Sequence, residues 1–281
     1  MPIDRPLRIG TLRVAFALTL LGMVSPLAAE QLPLWEAGAG VGVLSLPDYR
    51  GSDERKYFVL PVPYFVYRGD FFKADREGVR GVLFDSERIE LDLSAALSPP
   101  VDSRDNRARA GMADLEPVAE LGPNLDVLLW ENSDARLKFK APLRAAFTLE
   151  GSPRGVGWVF SPRLDLDFHN VAASGWRMGL LAGPIYATRA NHDYFYSVPA
   201  ADATATRPRY QAGGGYAGTQ VLASLSKRFP KFWVGAYLRW DTLAGATFVD
   251  SPLVTSRDYL AGGLALSWVF GESMQRVEAT P

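Results

Sequence analysis

The sequence contains no cysteine and only two histidines, His169 and His192. The first absence excludes a disulfide framework and thiol chemistry, and it removes the commonest ligands of structural zinc. The second leaves little material for acid–base work, and no cofactor is expected. No run of about 18 apolar residues occurs, the length at which a segment reads as a membrane-spanning helix. Helical periodicity and low-complexity tracts are lacking too. The formal net charge is -1, so no basic surface points to nucleic acid. "QAGGGYAG" (Gln211–Gly218) is glycine-rich but lacks the Lys-Ser/Thr of a phosphate loop.

What the 281 residues do hold is aromatic surface: 7 Trp, 11 Tyr and 15 Phe. They also open with a leader. Arg5, Arg8 and Arg13 precede "VAFALTLLGMV" (Val14–Val24), and "SPLAA" follows. That order of positive, apolar and small residues is a secretory signal peptide. Cleavage is expected after Ala29, with Ala28 the alternative, so residues 1–29 leave and the mature chain is exported.

After Ala29 the dominant pattern is alternation. "LKFKAPLRAAFTL" sets Leu137, Phe139, Ala141 and Leu143 against Lys138, Lys140, Pro142 and Arg144. "WVFSPRLDLDF" sets Leu164, Leu166 and Phe168 against Arg163, Asp165 and Asp167. "FWVGAYLRWDT" sets Leu238 and Trp240 against Arg239 and Asp241. Period two belongs to strands, whose side chains alternate between faces. Here the polar face carries too many charges, and the apolar face too many aromatics, for a soluble sheet. Apolar-out and polar-in is the pattern of a transmembrane barrel.

The expected fold is therefore all-β: an antiparallel up-and-down outer-membrane barrel over residues 30–270, with a periplasmic, unstructured tail over 271–281. Strands are expected at about 35–46, 56–68, 88–97, 115–130, 136–150, 156–168, 174–188, 215–229, 231–248 and 258–270. The short turns "FDSER", "ENSDAR", "HNVAASG" and "FPK" become periplasmic and the long segments extracellular. Both termini on one side require an even strand count. Two short strands within Phe71–Phe84 give twelve; a simple bend there gives ten. "YFVLPVPYFVYRGD" (Tyr57–Asp70) carries Pro61 and Pro63. Proline removes a ladder donor, so a bulge or an inward bend is expected at them.

The inward face supplies the candidate site: Lys138, Lys140, Arg144, Arg163, Asp165, Asp167, Arg239 and Asp241, with Glu90, Asp92, Glu120 and Asp126 on neighbouring strands. Hairpin pairing places Asp126 near Lys138 and Glu120 near Arg144. Such a lumen is either a salt-bridged filling or a charged constriction that selects solutes. Catalysis has less to build on. His169 falls in a periplasmic turn, the wrong end for a barrel phospholipase. A rim hydrolase would draw on His192-Asp193 with Asp102 and Asp105. "DSRD" (Asp102–Asp105) lacks the spaced ligands and bidentate Glu of a calcium loop.

Three pieces resemble a known family: "PDYRGSD" (Pro47–Asp53), "LPVPYFVYRGD" (Leu60–Asp70) and the closing "SWVF" (Ser267–Phe270). Together they are similar to the MipA/OmpV family, the MltA-interacting proteins of Gram-negative outer membranes. The resemblance implies an outer-membrane barrel, in contact with outer-membrane lipid, that is not an enzyme. It would act as a scaffold linking a lytic transglycosylase to a murein synthase. A small-solute channel is the alternative, and a surface adhesin or a barrel hydrolase stands behind both.

Overall fold

The computed structural model describes residues 31–69, 72–75 and 78–278, with backbone alone at 72–75, 78–80 and 278. The signal-peptide expectation over residues 1–29 lies outside the described residues. Alternating segments bounded by turn residues all become strands: β1 (Gln31–Pro33), β2 (Trp35–Pro47), β3 (Arg55–Arg68), β4 (Phe72–Asp75), β5 (Gly78–Asp85), β6 (Ile89–Ser98), β7 (Val118–Glu131) and β8 (Ala135–Thr148). There follow β9 (Gly155–Phe160), β10 (Arg163–Val171), β11 (Trp176–Ala187), β12 (Gly215–Arg228), β13 (Phe232–Thr242), β14 (Asp258–Glu272) and β15 (Arg276–Glu278). One short helix, α1 (Arg189–Tyr196), lies between β11 and β12.

Strands β2 to β14 form one antiparallel sheet whose pairing runs in a ring: β14 pairs with β2, and β10 pairs with both β11 and β8. β9 and β10 are two pieces of one strand, since both lie between β8 and β11. The break at Ser161-Pro162 stands opposite Pro142 of β8; the Ser161 amide still donates to Pro142 O, but proline returns no donor at that level. The single strand expected over 156–168 is corrected accordingly. Counting β9 and β10 as one gives twelve positions, with β4 and β5 as the two short strands.

The faces follow the sequence. Val41, Leu143, Leu164, Leu238 and Leu264 are exposed on the outer wall. Trp35, Trp130, Trp268 and Phe270 are exposed toward the end with short turns, and Tyr57, Trp158, Tyr186 and Trp240 toward the other. Two aromatic girdles flanking an aliphatic band are what a bilayer selects, because amphipathic rings settle at its interfaces.

Three further expectations change. The β2–β3 ladder runs through thirteen pairs, Trp35↔Tyr67 to Pro47↔Arg55, with no bulge. The Arg68 amide donates to Leu34 O, so even-numbered amides of β3 face β2. Pro61 and Pro63 thus carry their nitrogens on the opposite edge, where among the described residues β3 meets β4 only at Tyr67 and Arg68. Prolines need no bulge where the missing N–H points to an unpaired edge. The strand expected to reach 248 stops at Thr242, because Leu243 and Phe248 turn into a separate core. The tail expected to be unstructured is ordered as far as Glu278: β15 pairs with β1 through Leu32↔Val277 and its two flanking pairs.

Candidate functional site: a capped, divided lumen

Four long loops, 48–54, 99–117, 188–214 and 243–257, leave the ring at separated strands and meet in one core. Tyr49, Val101, Leu115, Tyr196, Leu243 and Phe248 are its large buried members. The loops share this core at the mouth of the ring, packed against Ala217 of β12 and Ile185 of β11, so the core is a cap. Polar bonds stitch the loops together. Asn106 Nδ2 donates to Asp48 Oδ2 at 2.8 Å, Tyr49 OH to Leu253 O at 2.7 Å, and Ser251 Oγ to Tyr196 O at 2.6 Å. The Arg207 guanidinium reaches Ala108 O and Ala110 O.

The "PDYRGSD" stretch is the centre of that cap. Tyr49 enters its core. Arg50 turns down into the mouth, 3.4 Å from Asp241 of β13, and donates to Tyr259 OH at 3.0 Å. Gly51 has φ +98°, a backbone region a side chain would strain, and its carbonyl accepts from the amides of Thr255 and Ser256. Ser52 Oγ accepts from Asn106 and from the Glu54 amide. Periodicity could not reveal this; the motif itself was the only signal.

His192 is buried on α1. Its Nδ1 lies 2.6 Å from Gly213 O, which fixes the proton on Nδ1, and 3.2 Å from Thr247 Oγ1. Burial, together with the Arg50 charge, holds its pKa below the ordinary value. Burial likewise pushes the Tyr196 phenol well above its usual range. Asp193 pairs with Arg189 and accepts from Ser197. Asp102 caps a short 3-10 turn and pairs with Arg104, whose hydrogen bonds lower its carboxyl to about 2. Asp105 lies 3.9 Å from Lys56. The rim residues weighed for hydrolysis are thus engaged separately, each with local partners. His169, expected in a turn, lies within β10, where its amide donates to Asp134 O.

Below the cap the inward side chains divide the lumen. On β6, β7, β8 and β10 the wall is ionic. Lys140 Nζ stands 3.0 Å from Asp126 and 3.8 Å from Asp165; Arg163 holds Asp165 at 3.1 Å; Arg144 holds Glu120 at 3.2 Å. Asn124 Nδ2 donates to both Asp92 and Asp126. Lys138 and Asp167 share this inward face, opposite Asp165 and Arg136 in the register. The Asp126–Lys138 pairing expected from the hairpin is corrected to Asp126–Lys140. A bulge between Leu128 and Trp130 adds a residue to β7, and without it Asp126 would stand opposite the outward Ala141. On the far wall Arg239 donates to Asp241 at 2.6 Å, and Arg50 completes that cluster.

Below that cluster, the wall from β12 through β14 to β3 is lined mainly by apolar side chains and glycine. At its lower end Glu36 is held by Arg68 and Arg228, each at 2.8 Å, with Tyr64 OH at 3.4 Å. Among the described residues no group of three or more His, Asp and Glu side chains could hold a metal ion.

An antiparallel ring with an apolar aromatic-banded exterior, a polar interior and short turns on one side defines an outer-membrane β-barrel. The family model described as "MltA-interacting protein MipA" matches residues 39–270, and the chain belongs to that family. It is 23% identical over 238 residues to the outer membrane protein OmpV of Vibrio cholerae, covering 83% of this chain and 86% of that protein. Among solved structures it is similar to the NanC porin, at 8% identity and TM-score 0.38, over 83% of this chain and 98% of that one. An outer membrane channel of Pseudomonas putida F1 aligns at 14% identity and TM-score 0.36, over 88% of this chain and all of that one.

Proposed function

We propose that the protein is a non-enzymatic scaffold of the outer membrane that holds a murein-remodelling enzyme at its periplasmic end. The observation that carries this reading is the cap. A through-channel needs an open mouth, whereas here four loops share one apolar core at the mouth of the ring. That leaves the other end as the working face, where β1 and β15 add an ordered two-stranded sheet beside the turns. The family description, an MltA-interacting protein, supports a lytic transglycosylase as the partner. Affinity purification from solubilised envelope tests it. Recovery of a murein enzyme that is lost when residues 273–281 are deleted supports the scaffold; recovery of none rejects it.

The ionic wall favours a second reading, a small-solute channel lined by Lys138, Lys140, Arg144 and Asp165. Planar-bilayer recording separates the two. Steady conductance altered by Lys140→Glu supports the channel, and an electrically silent barrel supports the scaffold.

A further inference from the structure

The apolar half of the lumen holds a half-open cavity of about 370 Å³. Its walls are Leu44, Leu60, Val62, Trp233, Tyr237 and the bare backbone at Gly263. Two glycines shape it. A Cβ at Gly235 would strike the Trp233 indole at 2.1 Å, and one at Gly263 would strike Leu44 at 2.4 Å and the Tyr237 ring at 3.0 Å. Both rings therefore lie back against the wall, and the space before them stays open.

Charged clusters lie further along the lumen on either side of the cavity. The Arg50–Asp241–Arg239 cluster stands over it and the Glu36–Arg68–Arg228 cluster beneath it. Each cluster holds two guanidinium groups and one carboxylate, a net charge of +1 at either end, while none of the residues that line the cavity itself is charged. A cavity this size falls within the range of ligand sites, and an apolar one gives water too few partners to be filled well. Pro61 and Pro63 also line it, and they belong to the strand edge with no backbone donor at those positions. Both prolines are exposed on the outer wall, so the wall that bounds the cavity there is one that faces the bilayer.

We propose that this chamber is a binding site for a small, uncharged, hydrocarbon-like molecule about the size of one or two aromatic rings. Burial of apolar surface drives the binding, at about 25 cal/mol per Å², and face or edge contacts with Trp233 and Tyr237 orient the molecule.

The probe is N-phenyl-1-naphthylamine, titrated into the folded full chain in detergent and read by tryptophan-sensitised emission. One saturable site per barrel is expected. Val62→Trp fills the chamber and should weaken binding at least tenfold, while Val59→Trp, on the outer face, should not. Ser224→Phe fills the same space from the opposite wall and serves if Val62→Trp fails to fold, folding being checked by heat-modifiable migration. Trp233→Phe should cut the sensitised emission more than Trp158→Phe does. Naphthalene should displace the probe and naphthalene-2-sulfonate should not. Equal affinity in the filled variants would place the probe in the detergent belt and overturn the site. Equal competition by the sulfonate would overturn its selectivity for uncharged molecules. A phospholipid retained one-to-one in native mass spectra, and blocking the probe, would assign the chamber to a lipid tail instead.

Discussion

Tyr196 and Phe248 lie face to face, ring centroids 3.6 Å apart and planes within 6°, although one follows β11 and the other follows β13. Phe248 is fully buried, and the His192 ring meets its edge at 4.6 Å. This stack is where two extracellular loops become one object. Truncating a buried Phe costs about 3–5 kcal/mol. The barrel ladder does not depend on the stack, so the loss should stay in the cap as local opening. Phe248→Ala should therefore be cut rapidly by protease within residues 188–214 while the barrel keeps its heat-modifiable migration. Unchanged cleavage would show that the loops are held by something other than this core.

The neutral His192 makes the cap sensitive to acid. In the unfolded loop its pKa is about 6.5, and in the cap it is lower. The open form therefore binds more protons below about pH 6.5, and stability falls as pH falls from there toward the depressed value. Above pH 6.5 the contribution is fully present. Amide exchange across Arg189–Tyr196, corrected for the intrinsic rate, should speed up between pH 7.5 and 5.5. His192→Gln should flatten that dependence; an equally steep profile in this variant would remove His192 as its source.

Lys140 is the hinge of the ionic wall. Its side chain and that of Asp126 are both almost fully buried, at 7% and 4% exposure. Removing one partner of such a pair costs about 3–5 kcal/mol, because the other is left charged without its partner. Lys140→Met should thus lower the urea midpoint in vesicles markedly, and adding Asp126→Asn should restore much of it. If the double variant is no better than the single one, Asp165 and not Asp126 is the carboxylate that needs the lysine.

The barrel was legible because its solvent imposes a rule that the long strands of the ionic wall obey: Leu164 out, Asp165 in, Leu166 out. Parity between short turns and long loops then gave twelve positions. What stayed hidden depends on contacts distant in sequence. The cap joins Tyr49 to Leu253 across 204 residues, and no local period encodes that. The bulge at Leu128–Trp130 shifts β7 by one residue against β8 and sets Asp126 opposite Lys140 and not Ala141, a shift invisible to hairpin counting. Pro61 and Pro63 looked like defects because sequence shows the missing donor but not the edge on which it falls. The chamber follows from glycines at Gly235 and Gly263, and what a glycine leaves empty is decided by its neighbours' side chains.

The face assignment can be broken by one pair of variants. Leu164 is 47% exposed on the outer wall, and the next residue, Asp165, points inward to Arg163 and Lys140. Arginine on the lipid face costs about 2–4 kcal/mol near the bilayer midplane and close to nothing at the interfaces. Leu164 pairs with Phe139 of β8 and Ala182 of β11, between the girdles, so Leu164→Arg should bear most of that cost. Asp165→Asn keeps the shape and a hydrogen-bonding amide but loses the charge; Lys140 still has Asp126, so the loss should be smaller. Refolding into vesicles, scored by the heat-modifiable band on a gel, compares them directly. A much lower yield for Leu164→Arg than for Asp165→Asn is expected. Equal yields would mean that position 164 does not meet lipid, and the alternation would need another solvent to explain it.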